Sequence, residues 1–298
     1  MAIVKPRKKK VSDRITDGIL GLLIAIVIIM CLYPFWHVIM YSFSDSREAM
    51  SGGIFLWPRK FTTISYEMLF QTKRIFVAFG NSVAKTVVGT LISMVITVLT
   101  AYPLAQEELK GKKPILFLIY FTMLFGGGMI PNYLLMKDLH LLDTFWVYVI
   151  PGALNVYNMF VLRNAFLSVP KSLTEAAKLD GANPLQGLCM VTLPLTKATL
   201  ATLTMYYVQG NWNSYMDGVL YVNKGSLVLL QVYLRRLISQ SGASAALGEM
   251  GDLSAASAVT EESMKMTVIA FSVIPVIIVY MFLQKYFVKG ATVGAVKE

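Results

Sequence analysis

Long apolar segments alternate with polar ones along this chain. Six apolar segments have the roughly 20 residues that a helix needs to cross a bilayer. A helix is required there because lipid offers no hydrogen-bond partner to a bare backbone. The pattern therefore predicts an all-α integral membrane protein with six transmembrane helices. The predicted spans cover residues 15–43, 79–104, 114–136, 144–167, 193–212 and 263–287.

The polar segments between the spans indicate the side of the membrane on which each lies. Residues 1–14 carry the basic run K-P-R-K-K-K, and residues 106–113 read Q-E-E-L-K-G-K-K. Basic residues gather in short cytoplasmic segments. We therefore expect a cytoplasmic tail at 1–14, a cytoplasmic loop at 168–192, an extracytoplasmic loop at 213–261 and cytoplasmic N- and C-termini. Residues 44–76 are predicted to form a polar outer loop.

The composition indicates a membrane protein rather than a soluble one. The chain is 56% hydrophobic and only 15% charged, whereas a soluble domain is about a quarter charged. Its net charge of +10 lies beside the apolar segments, without an aromatic-basic motif, so we expect the lipid bilayer and no nucleic acid as a partner. Two cysteines imply no disulfide framework. No internal repeat is visible, so residues 1–298 are predicted to form a single transmembrane domain.

Two features inside the spans depart from a plain apolar helix. Gly126, Gly127, Gly128 and Pro131 interrupt the third span, and a membrane tolerates such a break only where protein or water covers the freed backbone. Lys85 lies near the outer end of the second span. We interpret it as a lysine whose ammonium group reaches up to the membrane surface.

Residues 170–195, called the elbow below, form the longest polar and small-residue stretch between two C-terminal spans. Ser172 and Glu175 have the S-x-x-E spacing of a capping box, which predicts a helix over 173–180. Gly181 ends that helix, because glycine tolerates the left-handed position that follows a helix.

A second helix start follows at once. Asn183 is a suitable N-cap and Pro184 suits the first helical position. The prediction is therefore two short helices that meet at a bend around residues 181–183. Taken alone, this is an ordinary helical turn in which Glu175 only caps.

The elbow also resembles the EAA signature of permease subunits of bacterial ABC importers. In that family the loop is the coupling helix that docks in a cleft of the ATPase subunit. The resemblance implies an ATPase-coupling role for residues at matching positions: Glu175, Ala176, Ala177, Asp180, Gly181, Ala182, Asn183, Leu193 and Pro194.

Further segments are similar to the carbohydrate-uptake branch of ABC permeases, closest to the aldouronate or complex-oligosaccharide subgroup of Gram-positive bacteria. They are N-S at 81–82, F-G-G-G-M-I-P at 125–131, W-N-S-Y at 212–215 and Y-F-V-K-G-A-T-V-G-A-V-K at 286–297. The similarity covers nearly the whole chain. It implies a type I ABC importer permease fold and a multi-pass location in the bacterial cell (cytoplasmic) membrane.

The resemblance also implies a function and a set of partners. The chain would be the permease subunit of an ATP-driven, binding-protein-dependent importer of sugars, with oligosaccharides as the expected solutes. The expected partners are a second homologous permease, a cytoplasmic ATPase dimer and an extracytoplasmic solute-binding lipoprotein. The chain itself would be no enzyme and hold no cofactor, because ATP and magnesium would bind the partner ATPase.

Neutral polar and aromatic residues in the last spans suit a sugar, whose hydroxyls need hydrogen bonds and whose C–H faces stack on rings. The same groups also suit hydrogen bonds between helices, and in such heterodimers the sugar site can lie mainly in the partner subunit. The candidate pathway residues are Asn155, Tyr157, Asn158, Tyr206, Gln209, Asn211 and Trp212.

Several kinds of chemistry are missing from the sequence. It has no G-x-x-x-x-G-K-[ST], H-E-x-x-H, C-x-x-C or G-x-S-x-G motif and only two histidines, so we expect neither catalytic residues nor a metal site. The span interiors carry almost no Asp or Glu, which proton- and sodium-coupled transporters usually need. The alternatives are a standalone secondary transporter or channel, and an ABC permease for a solute other than a sugar.

Overall fold

The computed structural model describes residues 11–71, 73–239 and 259–295. Most of the predicted tail 1–14 and residues 240–258 of the predicted outer loop lie outside these ranges. The described regular structure is helical, apart from a single antiparallel bridge between Ser44 and Phe61. Its helices are α1 (Val11–Ser42), α2 (Ser46–Ala49), α3 (Ile64–Gln71), α4 (Lys73–Ala105), α5 (Lys112–Leu124), α6 (Met129–Asp138), α7 (Val156–Leu167), α8 (Lys171–Leu179), α9 (Pro184–Gly187), α10 (Leu193–Leu195), α11 (Lys197–Asn213), α12 (Met216–Tyr221), α13 (Leu230–Ser239) and α14 (Glu261–Ala295).

Three of these helices, α1, α4 and α14, are long and apolar enough to cross a membrane. Two further pairs pass the same test only as bent units. The axes of α5 and α6 differ by 112° at the predicted glycine break, and the segment Pro184–Leu195 meets α11 at 85°. The described residues therefore offer up to five crossings by length and composition, and the sixth stays a prediction.

The fourth predicted span, 144–167, is not one continuous helix. A short 3₁₀ turn, Phe145–Tyr148, is followed by irregular chain through Pro151 and Gly152, and α7 has only 12 residues. At 1.5 Å per residue such a helix is about 18 Å long, well short of the roughly 30 Å hydrocarbon core. Pro151 lacks a backbone N–H, which accounts for the interruption. The last helix, by contrast, continues beyond the predicted end at 287.

The chain divides into two compact units, residues 1–71 with 241–271 and residues 72–240 with 272–298. In the first unit, a row of aromatic rings joins the end of α1 to α3 and α14. Phe43 stacks on Tyr66 with 4.7 Å between ring centroids. Phe70 then meets Phe271 edge to face at 5.5 Å.

The second unit is organised around α4, which packs on α7 and α11. The buried face of α4 consists mostly of small and hydroxyl-bearing residues, which allow neighbouring helices to approach closely. Thr97 is fully buried, and its hydroxyl lies 2.6 Å from the hydroxyl of Tyr207 on α11. Arg163 on α7 donates from Nε to the Leu104 carbonyl at 2.9 Å.

Candidate functional site

The first helix of the elbow, α8, begins two residues earlier than the predicted capping box requires. Pro170 is its N-cap and Lys171 its first residue, so Ser172 already lies in the first turn. No side chain caps α8, and the predicted box between Ser172 and Glu175 is therefore wrong. The proline side chain has no acceptor atom, so at this exposed helix start the free N–H groups are left to water. Glu175 is exposed.

The end of α8 is a Schellman motif. Gly181 has a φ of +81°, as the sequence predicts. The Ala182 N–H donates to the Ala177 carbonyl at 2.9 Å, and the Gly181 N–H donates to the Lys178 carbonyl at 3.1 Å. These two bonds satisfy carbonyls that the helix end would otherwise leave free. Because a side chain at this position would be strained, Gly181 fixes the bend.

The second helix of the elbow starts with a capping box that the sequence only half revealed. The Gln186 N–H donates to Asn183 Oδ1 at 2.9 Å, and the Asn183 N–H donates to Gln186 Oε1 at 2.8 Å. Pro184 occupies the first turn as predicted. After α9, a π turn over Leu188–Thr192 leads to Leu193 and Pro194 in α10.

Part of the elbow is packed against α4, α7 and α11, which belong to the same unit. Leu188 is 3% exposed and belongs to the cluster formed by residues of α4, α7 and α11. Thr192 is buried, and a Cβ on Gly187 would lie 3.4 Å from the hydroxyl of Tyr102. These contacts pack the elbow closely against α4 and α7.

The elbow also carries three exposed apolar side chains. Leu173, Leu179 and Leu185 are 45%, 89% and 63% exposed. They lie on two short helices with many polar neighbours. The side chains of Ala176 and Ala177 between them are small, so a partner surface can approach the backbone. This arrangement suits a docking site for another protein.

Two ion pairs orient α8 against the turn that follows α4. Lys171 Nζ lies 2.5 Å from Glu107 Oε1, and Lys178 Nζ lies 2.7 Å from Glu108 Oε1. The hydrogen bond from Lys171 lowers the pKa of Glu107, and the same bond raises the pKa of Lys171. The hydrogen bond to Glu108 likewise raises the pKa of Lys178.

The sign of these shifts gives the pH range of the pairs. Glu107 favours the paired state above its ordinary pKa and loses that contribution as pH falls through its lowered value. The two lysines contribute below their ordinary pKa and lose the contribution as pH rises through their raised values. All four side chains are more than half exposed, so water and salt screen the pairs. They orient α8 more than they stabilise it.

The predicted pathway residues fall into two groups. The first group is engaged in local or interhelical contacts. Asn155 is the N-cap of α7 and accepts the Asn158 N–H at 3.0 Å, and Asn158 is buried. Asn211 donates to Thr90 Oγ1 at 3.4 Å. Trp212 is buried and donates from Nε1 to the Ser272 carbonyl at 3.0 Å.

The second group of pathway residues faces outward from the second unit. Tyr157 and Tyr206 are 57% and 50% exposed, and Gln209 is exposed too. Tyr206 and Gln209 are three residues apart on α11 and share a helix face. A role in a solute pathway stays a prediction for both groups. The side chains of the second group are exposed, and Asn155 of the first group is exposed as well.

Lys85 belongs to a buried cluster that the sequence did not reveal. Its side chain is 1% exposed, so the interpretation as a lysine that reaches the membrane surface is wrong. Nζ lies 3.0 Å from Asp217 Oδ2 and 5.1 Å from the ring centre of Tyr148. Ser214 donates to the same Asp217 oxygen at 2.6 Å. The sequence hid this pair, because its partners are 132 residues apart.

The same end of α4 holds the segment that follows α12. Asn81 donates from Nδ2 to the carbonyls of Ser226 and Val228 at 2.8 and 3.0 Å. Ser82 Oγ accepts the Leu230 N–H at 2.8 Å in a buried position. The N-S pair at 81–82 thus fixes a distant stretch of backbone.

Asp143 makes a comparable attachment nearby. Its Oδ1 accepts the N–H groups of Asn223 and Lys224 at 2.6 and 3.0 Å. These two backbone donors lower the pKa of Asp143, because they stabilise the ionised carboxylate. Among the described residues, no group of three or more His, Cys, Asp or Glu side chains is placed to hold a metal ion.

Comparison with known proteins assigns the family. The sequence profile described as "Binding-protein-dependent transport system inner membrane component" matches residues 75–293. The chain is 39% identical to the polygalacturonan/rhamnogalacturonan transport system permease protein YtcP of Bacillus subtilis (strain 168), over 96% of this chain and 99% of the relative. It is 26% identical to the arabinooligosaccharides transport system permease protein AraQ of Halalkalibacterium halodurans, over 97% and 99% of the two chains.

A solved structure agrees with these relatives. A crystal structure of a bacterial ABC transporter involved in the import of the acidic polysaccharide alginate superimposes with a TM-score of 0.83 at 34% sequence identity. The match covers 94% of this chain and 99% of that chain. The chain belongs to the family of inner membrane components of binding-protein-dependent transport systems and has the helical permease fold of an ABC importer. The resemblance noted in the sequence is confirmed.

Proposed function

We propose that this chain is one of two permease subunits of an ATP-driven importer of oligosaccharides and that the elbow couples it to a cytoplasmic ATPase. The observation that carries this proposal is the combination of exposed and buried side chains in the elbow. Its exposed leucines offer a docking surface, while Leu188 is buried against α4 and α7. A movement of the ATPase at the exposed leucines would therefore be transmitted to α4 and α7.

The topology is part of the proposal. We infer six crossings within a single transmembrane domain, residues 1–298, with both termini in the cytoplasm. Five crossings come from the three long helices and the two bent pairs. The sixth would combine α7 with the irregular chain 149–155, whose freed backbone must face protein or a water-filled cavity. This places 168–192 in the cytoplasm and 213–261 on the opposite side.

Three partners follow from this reading. A second, homologous permease completes the pore, and a dimer of ATPase subunits binds the elbow together with its counterpart. ATP and magnesium bind those ATPases and not this chain, whose sequence contains no P-loop. A solute-binding lipoprotein delivers the solute from outside, in keeping with the family description.

The proposed solute is an oligosaccharide. Two relatives are permease proteins of transport systems for polygalacturonan/rhamnogalacturonan and for arabinooligosaccharides, and the similar solved transporter is involved in the import of alginate. In this chain the predicted pathway residues that are exposed are Asn155, Tyr157, Tyr206 and Gln209. Aromatic faces and side-chain amides are the groups that a sugar contacts. Asn211 and Trp212, which are less exposed, would shape the pathway from behind.

The test compares the same substitution at two exposed leucines. Leu179→Asp places a carboxylate in the middle of the proposed docking surface, and Leu139→Asp changes a leucine that is 55% exposed after α6. A leucine buried at an interface contributes about 2 kcal/mol, and about 1.4 kcal/mol is a factor of ten in affinity. We expect Leu179→Asp to lose most of the co-purifying ATPase and of the ATP-dependent uptake, and Leu139→Asp to retain both.

Each other outcome is informative. Equal ATPase recovery with both variants would contradict the elbow as the docking surface. Uptake that persists without cellular ATP would favour a standalone transporter or channel. Recovery of an ATPase together with a lipoprotein that binds no oligosaccharide would leave the coupling intact and assign a solute other than a sugar.

A further inference from the structure

The loop between α2 and α3 packs an apolar tip against the last third of α1. We call residues 53–57 the tip. Gly52 and Gly53, with φ of +69° and +98°, turn the chain back after α2. The tip contains no charged residue and reads G-I-F-L-W.

The tip is anchored to α1 by one side chain and two hydrogen bonds. Phe55 is 1% exposed and packs against the rings of His37 and Tyr41, each 5.1 Å from it between centroids. The Phe55 N–H is bound by the Tyr33 hydroxyl at 3.3 Å. Trp36 donates from Nε1 to the Leu56 carbonyl at 3.0 Å. Two backbone groups of the tip therefore need no water.

The remaining side chains of the tip point away from the protein. Ile54, Leu56 and Trp57 are 72%, 61% and 76% exposed. The base of the same loop is polar: Asp45 caps α2, Glu48 pairs with Lys60, and Arg59 bonds Ser51. The Arg59 guanidinium also lies over the ring of Phe55, 4.5 Å from its centroid. The apolar side chains that point outward therefore adjoin a polar base that reaches as far as Phe55.

The attachment points give the depth of the tip. The 32 residues of α1 make a helix about 48 Å long, close to the roughly 40–45 Å of a bilayer with its headgroups. We take the end of α1 at Ser42 to lie at the membrane surface, because the length of α1 matches the bilayer. Tyr33 and Trp36 lie nine and six residues before that end, which puts the tip about 9–13 Å inward. A headgroup layer is roughly 6 Å deep. The tip therefore reaches the boundary between headgroups and acyl chains.

The surface beside the tip favours lipid over another helix as its neighbour. None of the residues in the most apolar stretch of α1 is buried. Between 19 and 33 this helix presents mainly Ile, Leu, Val and Met, whereas helix contacts in membranes are rich in small residues. Trp57 stands where tryptophan is enriched, at the interface of membrane and water.

We propose that residues 53–57 form a membrane anchor that inserts Ile54, Leu56 and Trp57 into the lipid leaflet at the C-terminal end of α1. Phe55, Tyr33 and Trp36 hold the loop in that position. The partner is the bilayer itself. The anchor fixes the tilt and depth of α1, and it rests on the membrane location of the chain alone, not on the solute or the ATPase.

The test measures which reagents reach the tip. The full chain, without its cysteines (Cys31→Ala, Cys189→Ser) and with its co-purifying partners, is placed in lipid nanodiscs. A nitroxide is attached at Trp57→Cys, with Met50→Cys as the control at the base, where Met50 is 69% exposed. Power-saturation EPR compares oxygen, which concentrates in lipid, with a water-soluble nickel complex. We expect oxygen to dominate at position 57 and the nickel complex at position 50.

Two results would overturn the anchor. Ready access of the nickel complex to position 57 would make the tip a water-facing loop. Protection from both reagents would mean that a protein, such as a second permease, covers it. Ile54→Cys repeats the measurement with a second side chain of the tip, so that a defect specific to Trp57→Cys does not decide the matter. ATP-dependent uptake, measured on the same samples, reports separately on the proposed importer function.

Discussion

Helices α1 and α4 look alike in the sequence and behave differently in the structure. They have 32 and 33 residues, and both contain apolar stretches with mean hydropathy of 2.6 and 1.9. None of that stretch is buried in α1, whereas 33% of it is buried in α4. Hydropathy alone identifies both as spans and does not tell which one is packed.

The difference lies in small and polar side chains. The buried face of α4 recurs every three or four residues and includes Ser82, Gly89, Ser93, Thr97 and Ala101. Lipid tails are as apolar as leucine, so the hydrophobic effect does not drive helices together within a membrane. Close packing and hydrogen bonds between helices do so instead. The corresponding part of α1 has mostly large aliphatic side chains, which suit lipid.

The largest expected effect concerns the charged pair on α4. Lys85 is 1% exposed and Asp217 is 40% exposed, so removing either partner has unequal consequences. Asp217→Ala leaves a buried ammonium group without its partner, which costs about 3 kcal/mol. Lys85→Met fills the same space and leaves a carboxylate that water can reach, so we expect a cost of about 1 kcal/mol. The thermal unfolding midpoint of the purified importer measures both.

The control and the double variant complete this test. Asp138→Ala removes an exposed carboxylate at the end of α6 and should leave the midpoint unchanged. The double variant Lys85→Met/Asp217→Ala should be more stable than Asp217→Ala alone. Equal losses for the two single variants, with no recovery in the double variant, would show that the pair does not act as a unit.

The contacts of Lys85 also show where sequence reasoning ends. The sequence predicted Gly181, Asn183 and Pro184 correctly, because helix ends depend on neighbours within four residues. The prediction for Lys85 was wrong because the residues near position 85 give no indication of its partner, Asp217. A partner that is distant in the sequence leaves no local pattern.

Two other differences between the predicted and the observed structure have local causes that are visible in the sequence. The fourth span is interrupted because Pro151 and Gly152 disfavour a helix. The predicted box at Ser172 fails because the N-cap is Pro170, two residues before Ser172. The spacing of small residues on α4 was likewise present in the sequence and marks its packed face. The coupling and pathway roles of the predicted site residues stay predictions, since they depend on partners.

An intermediate effect is expected where a glycine is enlarged. A Cβ on Gly89 of α4 would lie 3.0–3.1 Å from the side chain of Asn211, while nothing lies within 4 Å of one on Gly21 of α1. Gly89→Leu should destabilise the second unit by about 1–3 kcal/mol through overpacking. Gly21→Leu should be neutral or slightly stabilising, because leucine favours a helix over glycine. The same thermal midpoint, measured on matched samples, distinguishes the two.

If Gly21→Leu lowered the thermal midpoint as much as Gly89→Leu, α1 would not differ from α4 in its packing. This result would mean that the N-terminal part of α1 packs closely against another subunit of the importer. The exposure of this part of α1 would then describe the isolated chain only.

The smallest effect concerns a single hydroxyl on α4. Thr97→Val keeps the shape of a buried side chain but removes the 2.6 Å hydrogen bond with Tyr207. The Tyr207 hydroxyl also receives the Asn155 N–H at 3.4 Å, so it retains one partner. We expect a cost of about 1 kcal/mol. Thr100→Val is the matched control, because the Thr100 hydroxyl only bonds the Ile96 carbonyl of its own helix. If Thr100→Val costs as much as Thr97→Val, the hydroxyl groups of α4 act within the helix, and the contact between α4 and α11 depends on close approach alone.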